Sequence, residues 1–160
     1  PEAAIVNTSS IFGMVAVAKQ SVYHATKYAV RGFTESLVKE QKGTSVQVHC
    51  VHPGHIGTNI LSTAKFNEDD RAGPGSSLGL GDKTREEMGD MFKTHGMHPS
   101  HAAEIILKGV KKKKARIFVG LDAKLIDLSQ RLMPNHYEKL WPIFMLPLFF
   151  LRNKKAIKDL

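Results

Sequence analysis

Apolar positions along the chain follow two periods, and the switches between them mark out strands and helices. Ile5 and Val6 open an apolar run that passes into Asn7, Thr8, Ser9 and Ser10, which predicts a short strand with Ser10 at its carboxyl end. From Ser21 to Glu40, the residues Val22, Ala25, Ala29, Val30, Phe33 and Leu37 recur three and four apart, predicting a helix that buries that stripe. Val46, Val48 and Cys50 alternate on a strand over residues 45–50, and another strand is predicted at residues 115–119. Between those strands Pro99 suits the first turn of a helix with Ala102, Ala103, Ile105, Ile106 and Val110 facing the core. Leu121, Leu125, Ile126, Leu128 and Leu132 predict a last helix that Met133-Pro134 ends. This alternation of strands and helices points to an α/β fold.

Residues 59–98 carry no good strand pattern, and a loop of that length is usually functional. Gly73-Pro74-Gly75-Ser76-Ser77 within it predicts a turn. Thr84-Arg85-Glu86-Glu87 fits a capping box, predicting a short helix over residues 85–93. A glycine-rich hinge beside a capped helix suits a lid that closes on a ligand, and an unstructured insertion is the alternative.

Three polar residues fall where these elements join. Ser10 ends the first strand, a place where open α/β sheets bind ligands. Tyr23 lies thirteen residues later and Lys27 four after that, so the two share one face of the long helix. A phenol, with a pKa of about 10, is mostly protonated at neutral pH, and a nearby ammonium favours its phenolate form. Such a pair can pass a proton, while a serine hydroxyl holds the reacting carbonyl or alcohol oxygen. Neither group carries hydride, so a nicotinamide-type cofactor is implied. Taken alone, a tyrosine four residues before a lysine also arises by chance on many amphipathic helices.

In sequence this segment resembles the short-chain dehydrogenase/reductase family. The resemblance rests on Asn7-Thr8-Ser9-Ser10, on Tyr23-His24-Ala25-Thr26-Lys27, and on residues 51–58, Val-His-Pro-Gly-His-Ile-Gly-Thr. It implies a Rossmann-like, doubly wound parallel sheet, with catalytic roles for Ser10, Tyr23 and Lys27. It further implies NAD or NADP as cofactor, with Pro53, Gly54, Ile56 and Thr58 around the nicotinamide and Tyr23 and Lys27 also in contact with it. Lys27 would hold the ribose hydroxyls and Ile56 would act through its backbone. The family's glycine-rich phosphate loop has no match here, so residues 1–133 are expected to be the carboxyl-terminal part of one such domain, lacking its amino-terminal half. By the same reading, the strand at residues 4–9 would have one open edge, the segment alone would be inactive, and the residue separating NAD from NADP would be missing. The implied reaction is interconversion of an alcohol and a carbonyl. A noncatalytic binding or scaffold protein of the same fold is the competing class.

Composition adds limits. The 160 residues are 42% hydrophobic, enough to bury a core, and the single cysteine, Cys50, excludes an internal disulfide framework. The net charge is +8, and four of those charges lie in the lysine run at residues 111–114. This run follows an apolar helix and lacks interleaved aromatics, so it reads as a solvated helix end and not as a nucleic-acid surface. His49, His52 and His55, then His95, His98 and His101, are regularly spaced. Strand alternation and Pro53 and Pro99 separate them, and neither series completes a tetrahedral metal site. His24, next to Tyr23, should point off the catalytic face, toward solvent or an interface. Residues 134–160 form a tail in which residues 140–151 are uncharged, with Lys139 and then Arg152, Lys154 and Lys155 at the ends. Twelve residues are too few to span a bilayer of about 20 residues per helix. The run packs on its own domain or a dimer mate, rims a hydrophobic substrate pocket, or gives residues 140–155 peripheral contact with a membrane. The expected setting is cytoplasmic or membrane-associated, with a hydrophobic small-molecule substrate and a homo-oligomeric assembly.

Overall fold

The computed structural model describes residues 3–64 and 85–141 of the chain. Among the described residues, three parallel strands form one sheet in the order β1 (Ala3–Thr8), β2 (Val46–Pro53) and β3 (Arg116–Val119). The pairing sets Thr8 opposite Val51 and Pro53 opposite Val119. Helix α1 (Ser21–Glu40) links β1 to β2. A one-turn helix α2 (Ile60–Thr63), α3 (Arg85–His95) and α4 (Pro99–Lys111) lie between β2 and β3, and α5 (Leu121–Leu132) follows. Short 3₁₀ turns occupy Ile11–Gly13 and Tyr137–Leu140. Strand β2 runs three residues further than the alternation of Val46, Val48 and Cys50 indicates, and so carries Pro53 to its end.

Successive residues of a strand face opposite sides, so the sheet is covered twice. On one side Val51, Ile117 and Val119 pack on Ala102, with Ile105, Ile106 and Val110 of α4 around them. On the other, Asn7 donates to Thr34 of α1 at 3.1 Å, and Phe118 packs on a cluster of Ile11, Met14, Val15 and Ala123 from the 3₁₀ turn, its following loop and α5. Helices on both faces of a parallel sheet make the expected doubly wound arrangement.

Several expected core faces are placed differently. The apolar stripe of α1 is largely exposed, Val22 by 77% and Phe33 by 64%, whereas His24 and Thr34 are its buried residues. In α5, Leu121, Leu128 and Leu132 are exposed, and small Ala123 and Ser129 are buried. Ala103 of α4 faces solvent, and Gly109 takes the buried position, where an added Cβ would lie 2.8 Å from Ile117. Close helix-to-sheet approach explains both cases: the nearest position must be small, and larger apolar residues are displaced to the flanks.

The lysine run closes α4. Lys113 has φ of 52°, and the Lys113 and Lys114 amides donate back to Val110 and Gly109. The capping residue Thr84, the turn at residues 73–77 and most of the apolar tail lie outside the described residues. Trp141, at the start of that tail, packs against the Ile11, Met14, Val15 and Ala123 cluster. No helix among the described residues is long and apolar enough to cross a membrane.

Candidate active site

Ser10, Tyr23 and Lys27 come together because β1 leads directly into a turn that folds back on α1. The Ser9 amide extends the ladder by donating to Val51 at 2.9 Å, so Ser10, just past the end of β1, sits level with Pro53 at the carboxyl end of β2. Ser10 is extended and 8% exposed, and its Oγ caps the 3₁₀ turn by accepting from the Phe12 amide at 3.1 Å. Accepting there leaves the hydroxyl proton to donate elsewhere. The Ser10 carbonyl lies 3.2 Å from Nδ1 of His52, a fully buried ring stacked on Phe118. Burial pushes the His52 pKa below its ordinary value, opposed in part by this bond to Ser10.

Tyr23 lies in the first turn of α1 and Lys27 one turn later, both half-buried. The Lys27 ammonium lies 5.6 Å from the Tyr23 ring centroid and donates to the Thr8 carbonyl at 3.3 Å. Lys27 thereby joins the helix to the end of the strand that leads into Ser10. Two further bonds and a close approach fix that junction. Ser9 Oγ donates to the Lys27 carbonyl at 2.8 Å, Arg31 donates to the Gly13 carbonyl at 3.2 Å, and Gly13 fits because a Cβ there would lie 2.8 Å from that same Lys27 carbonyl. The Phe12 ring stands edge-on to Tyr23 at 6.3 Å, so one residue touches both Ser10 and Tyr23.

The second group, Pro53, Gly54, Ile56 and Thr58, follows β2 and is held from two sides. The Gly54 amide donates to Val119 at 2.9 Å, and the His55 amide donates to the Asp122 carboxylate at 2.6 Å. A Cβ on residue 54 would fall on that carboxylate, so a side chain there would displace Asp122 from the turn. On the other side Ile56 bridges to Met97: Met97 donates to His55 at 3.0 Å and Gly57 donates to Met97 at 2.9 Å. In a parallel bridge the central residue's own N–H and C=O point away, so those of Ile56 face away from Met97. The Ile56 carbonyl accepts from Thr58 at 2.9 Å. The His55 ring packs on Phe92 of α3 at 4.1 Å, and α2 packs on α3, tying these two helices to this turn.

His24 differs from expectation. It is 6% exposed and turned inward, with Nδ1 at 2.9 Å from the Phe12 carbonyl and Nε2 accepting from the Val17 amide at 2.9 Å. Ala16, in the same loop, is held by the Tyr137 hydroxyl, which accepts from its amide at 2.9 Å and donates to its carbonyl at 3.0 Å.

A family profile described as short chain dehydrogenase matches residues 1–69, a span containing all seven predicted site residues. The chain belongs to the short-chain dehydrogenase/reductase family. It is 41% identical over 139 residues to SadH of Mycobacterium tuberculosis, covering 85% of this chain and 46% of SadH. A solved short-chain dehydrogenase/reductase from Burkholderia phymatum, in complex with NAD, superposes with a TM-score of 0.60 at 18% identity, over 82% of this chain and 49% of that one. A short-chain dehydrogenase from Burkholderia cenocepacia, in complex with NADP, gives 0.57 at 19% identity, over 88% and 48%. Both show a shared fold. The chain spans about half the length of these proteins.

In this short-chain dehydrogenase/reductase, sequence reasoning missed Asp122, Met97 and the inward turn of His24. Asp122 had one local signal, an acid in the first turn of a helix after a strand. Its partner lies 67 residues away, which no local pattern encodes.

Proposed function

We propose that the protein interconverts an alcohol and a carbonyl with NAD or NADP, using Ser10, Tyr23 and Lys27 as its proton-transfer group. The observation that carries this reading is the junction of β1, the 3₁₀ turn and α1, which sets the Ser10 hydroxyl and the Tyr23 ring beside Phe12 and the Lys27 ammonium beside the Tyr23 ring. The nicotinamide supplies the hydride when bound. The donor set of the chain fits such a group: Lys27 has ammonium hydrogens beyond the one given to Thr8, the Ile56 amide faces away from Met97, and Thr58 brings a hydroxyl. These donors suit ribose hydroxyls and a carboxamide oxygen.

Within the reaction Ser10 donates to the substrate oxygen and orients it. Tyr23 takes the alcohol proton in oxidation and returns it in reduction, and the Lys27 charge beside the ring stabilises the negative charge left on the phenol oxygen. Residues 53–58 hold the cofactor end of the site through a turn whose own bonds run to β3, α5 and Met97. A hydrophobic alcohol or ketone is the favoured substrate class, because the half-buried ring of Phe12 stands beside Tyr23.

The test is titration of NADH and NADPH into the intact protein and its Lys27→Met variant. Saturable binding that weakens about tenfold or more in the variant supports the reading, since a hydrogen bond to a charged group contributes about 1.5–3 kcal/mol. No binding of either nucleotide, or equal affinity in the variant, contradicts it.

A further inference from the structure

Resting on the function proposed above, we infer that His24 is a positioning residue of the reaction: its neutral ring sets Phe12 and, through Phe12, both the Ser10 hydroxyl and the Tyr23 ring. The heavy atoms decide the tautomer. A backbone amide nitrogen can only donate, so the Val17 N–H at 2.9 Å requires a bare lone pair on Nε2. A neutral imidazole then carries its proton on Nδ1, which donates to the Phe12 carbonyl at 2.9 Å. The ring therefore satisfies one donor and one acceptor of the loop at once.

Phe12 passes the constraint on. Its amide donates to Ser10 Oγ at 3.1 Å, so the residue whose carbonyl His24 holds is the residue whose N–H aims the serine. Its ring stands edge-on to His24 at 5.2 Å and to Tyr23 at 6.3 Å, and the Tyr23 and His24 rings lie 6.4 Å apart. Tyr137 anchors Ala16, further along the loop, but the bond that holds the Phe12 carbonyl comes from His24. A histidine that merely filled the core would contact the sheet, whereas these bonds go to the loop between Ser10 and Tyr23. Seating His24 also sets the rotation of the first turn of α1, which turns Tyr23, about 100° away on the helix, to the site.

Two variants of the intact protein test this. His24→Phe keeps the ring's bulk and removes both hydrogen bonds, whereas His24→Gln keeps an acceptor and a donor about as far apart as the ring nitrogens. With NAD or NADP and octanol or cyclohexanol as probes, kcat in His24→Phe is expected to fall about ten- to a hundredfold, while NADH and NADPH affinity stays within about twofold. His24→Gln is expected to restore most of the loss. Nitrogen NMR of the wild-type ring, independent of turnover, is expected to report the Nδ1–H tautomer. Wild-type kcat in His24→Phe, an equal loss of cofactor affinity and kcat, or an Nε2–H tautomer overturns the positioning role. Absence of NAD(P)-linked turnover in wild type with the Nδ1–H tautomer present overturns the proposed function, and the positioning role with it.

Discussion

The carboxylate of Asp122 holds the backbone amide of His55 at 2.6 Å and occupies the space that a side chain on residue 54 would need. One acid, at the amino end of α5, thus both aims the turn after β2 and fills the space beside its glycine. Its negative charge also suits the positive end of the helix. Asp122→Ala is predicted to weaken NADH or NADPH binding about tenfold, the worth of a charge-assisted bond of about 1.5–3 kcal/mol. Asp122→Asn, which keeps an acceptor oxygen, is predicted to lose less. Equal affinities for wild type and Asp122→Ala in a fluorescence titration would count against the role of this turn.

Gly13 makes a second close approach, where α1 crosses the end of β1. A Cβ there would meet Ser9 Oγ and lie 2.8 Å from the Lys27 carbonyl. Gly13→Ala is predicted to destabilise the protein by about 1–3 kcal/mol through overpacking. Adding Ser9→Ala removes the first clash and leaves the second, so thermal melts of the double variant should recover part of the loss. An unchanged melting temperature in Gly13→Ala would show that the junction is looser than described.

These contacts show how far the sequence was legible. Ser10, Tyr23 and Lys27 could be singled out because their spacing and chemistry are local, and residues 53–58 through the family resemblance. Val22 and Phe33 mark an apolar face of α1, yet periodicity says only that a face is apolar, not which face meets the sheet. Thr34 meets it instead, through Asn7, while His24 turns to the loop, where its ring nitrogens find partners in Phe12 and Val17. Ala123 and Ser129 take the close positions of α5 for want of room, a quantity set by tertiary approach. Asp122 with His55, and Met97 with Ile56, are pairings across long sequence separations that no pattern in the chain announces.

His52 sets a pH dependence. Burial lowers its pKa below the ordinary value of 6.5, so the unfolded chain binds this proton more readily than the folded one. Stability from the neutral ring is therefore fully present above pH 6.5 and is lost as pH falls below it. Urea unfolding followed from about pH 7.5 to about pH 5 should show a falling midpoint in wild type and a shallower fall in His52→Phe. Identical slopes would mean that His52 does not carry the linkage.

The central claim is that Tyr23 moves the proton, and turnover in Tyr23→Phe tests it most directly. The substitution keeps the ring that packs on Phe12 and removes the ionisable hydroxyl. With NAD or NADP bound as in wild type, kcat for alcohol oxidation is predicted to fall about a hundredfold or more, the range of a positioned acid–base group. Near wild-type turnover by Tyr23→Phe across the pH range would contradict the account.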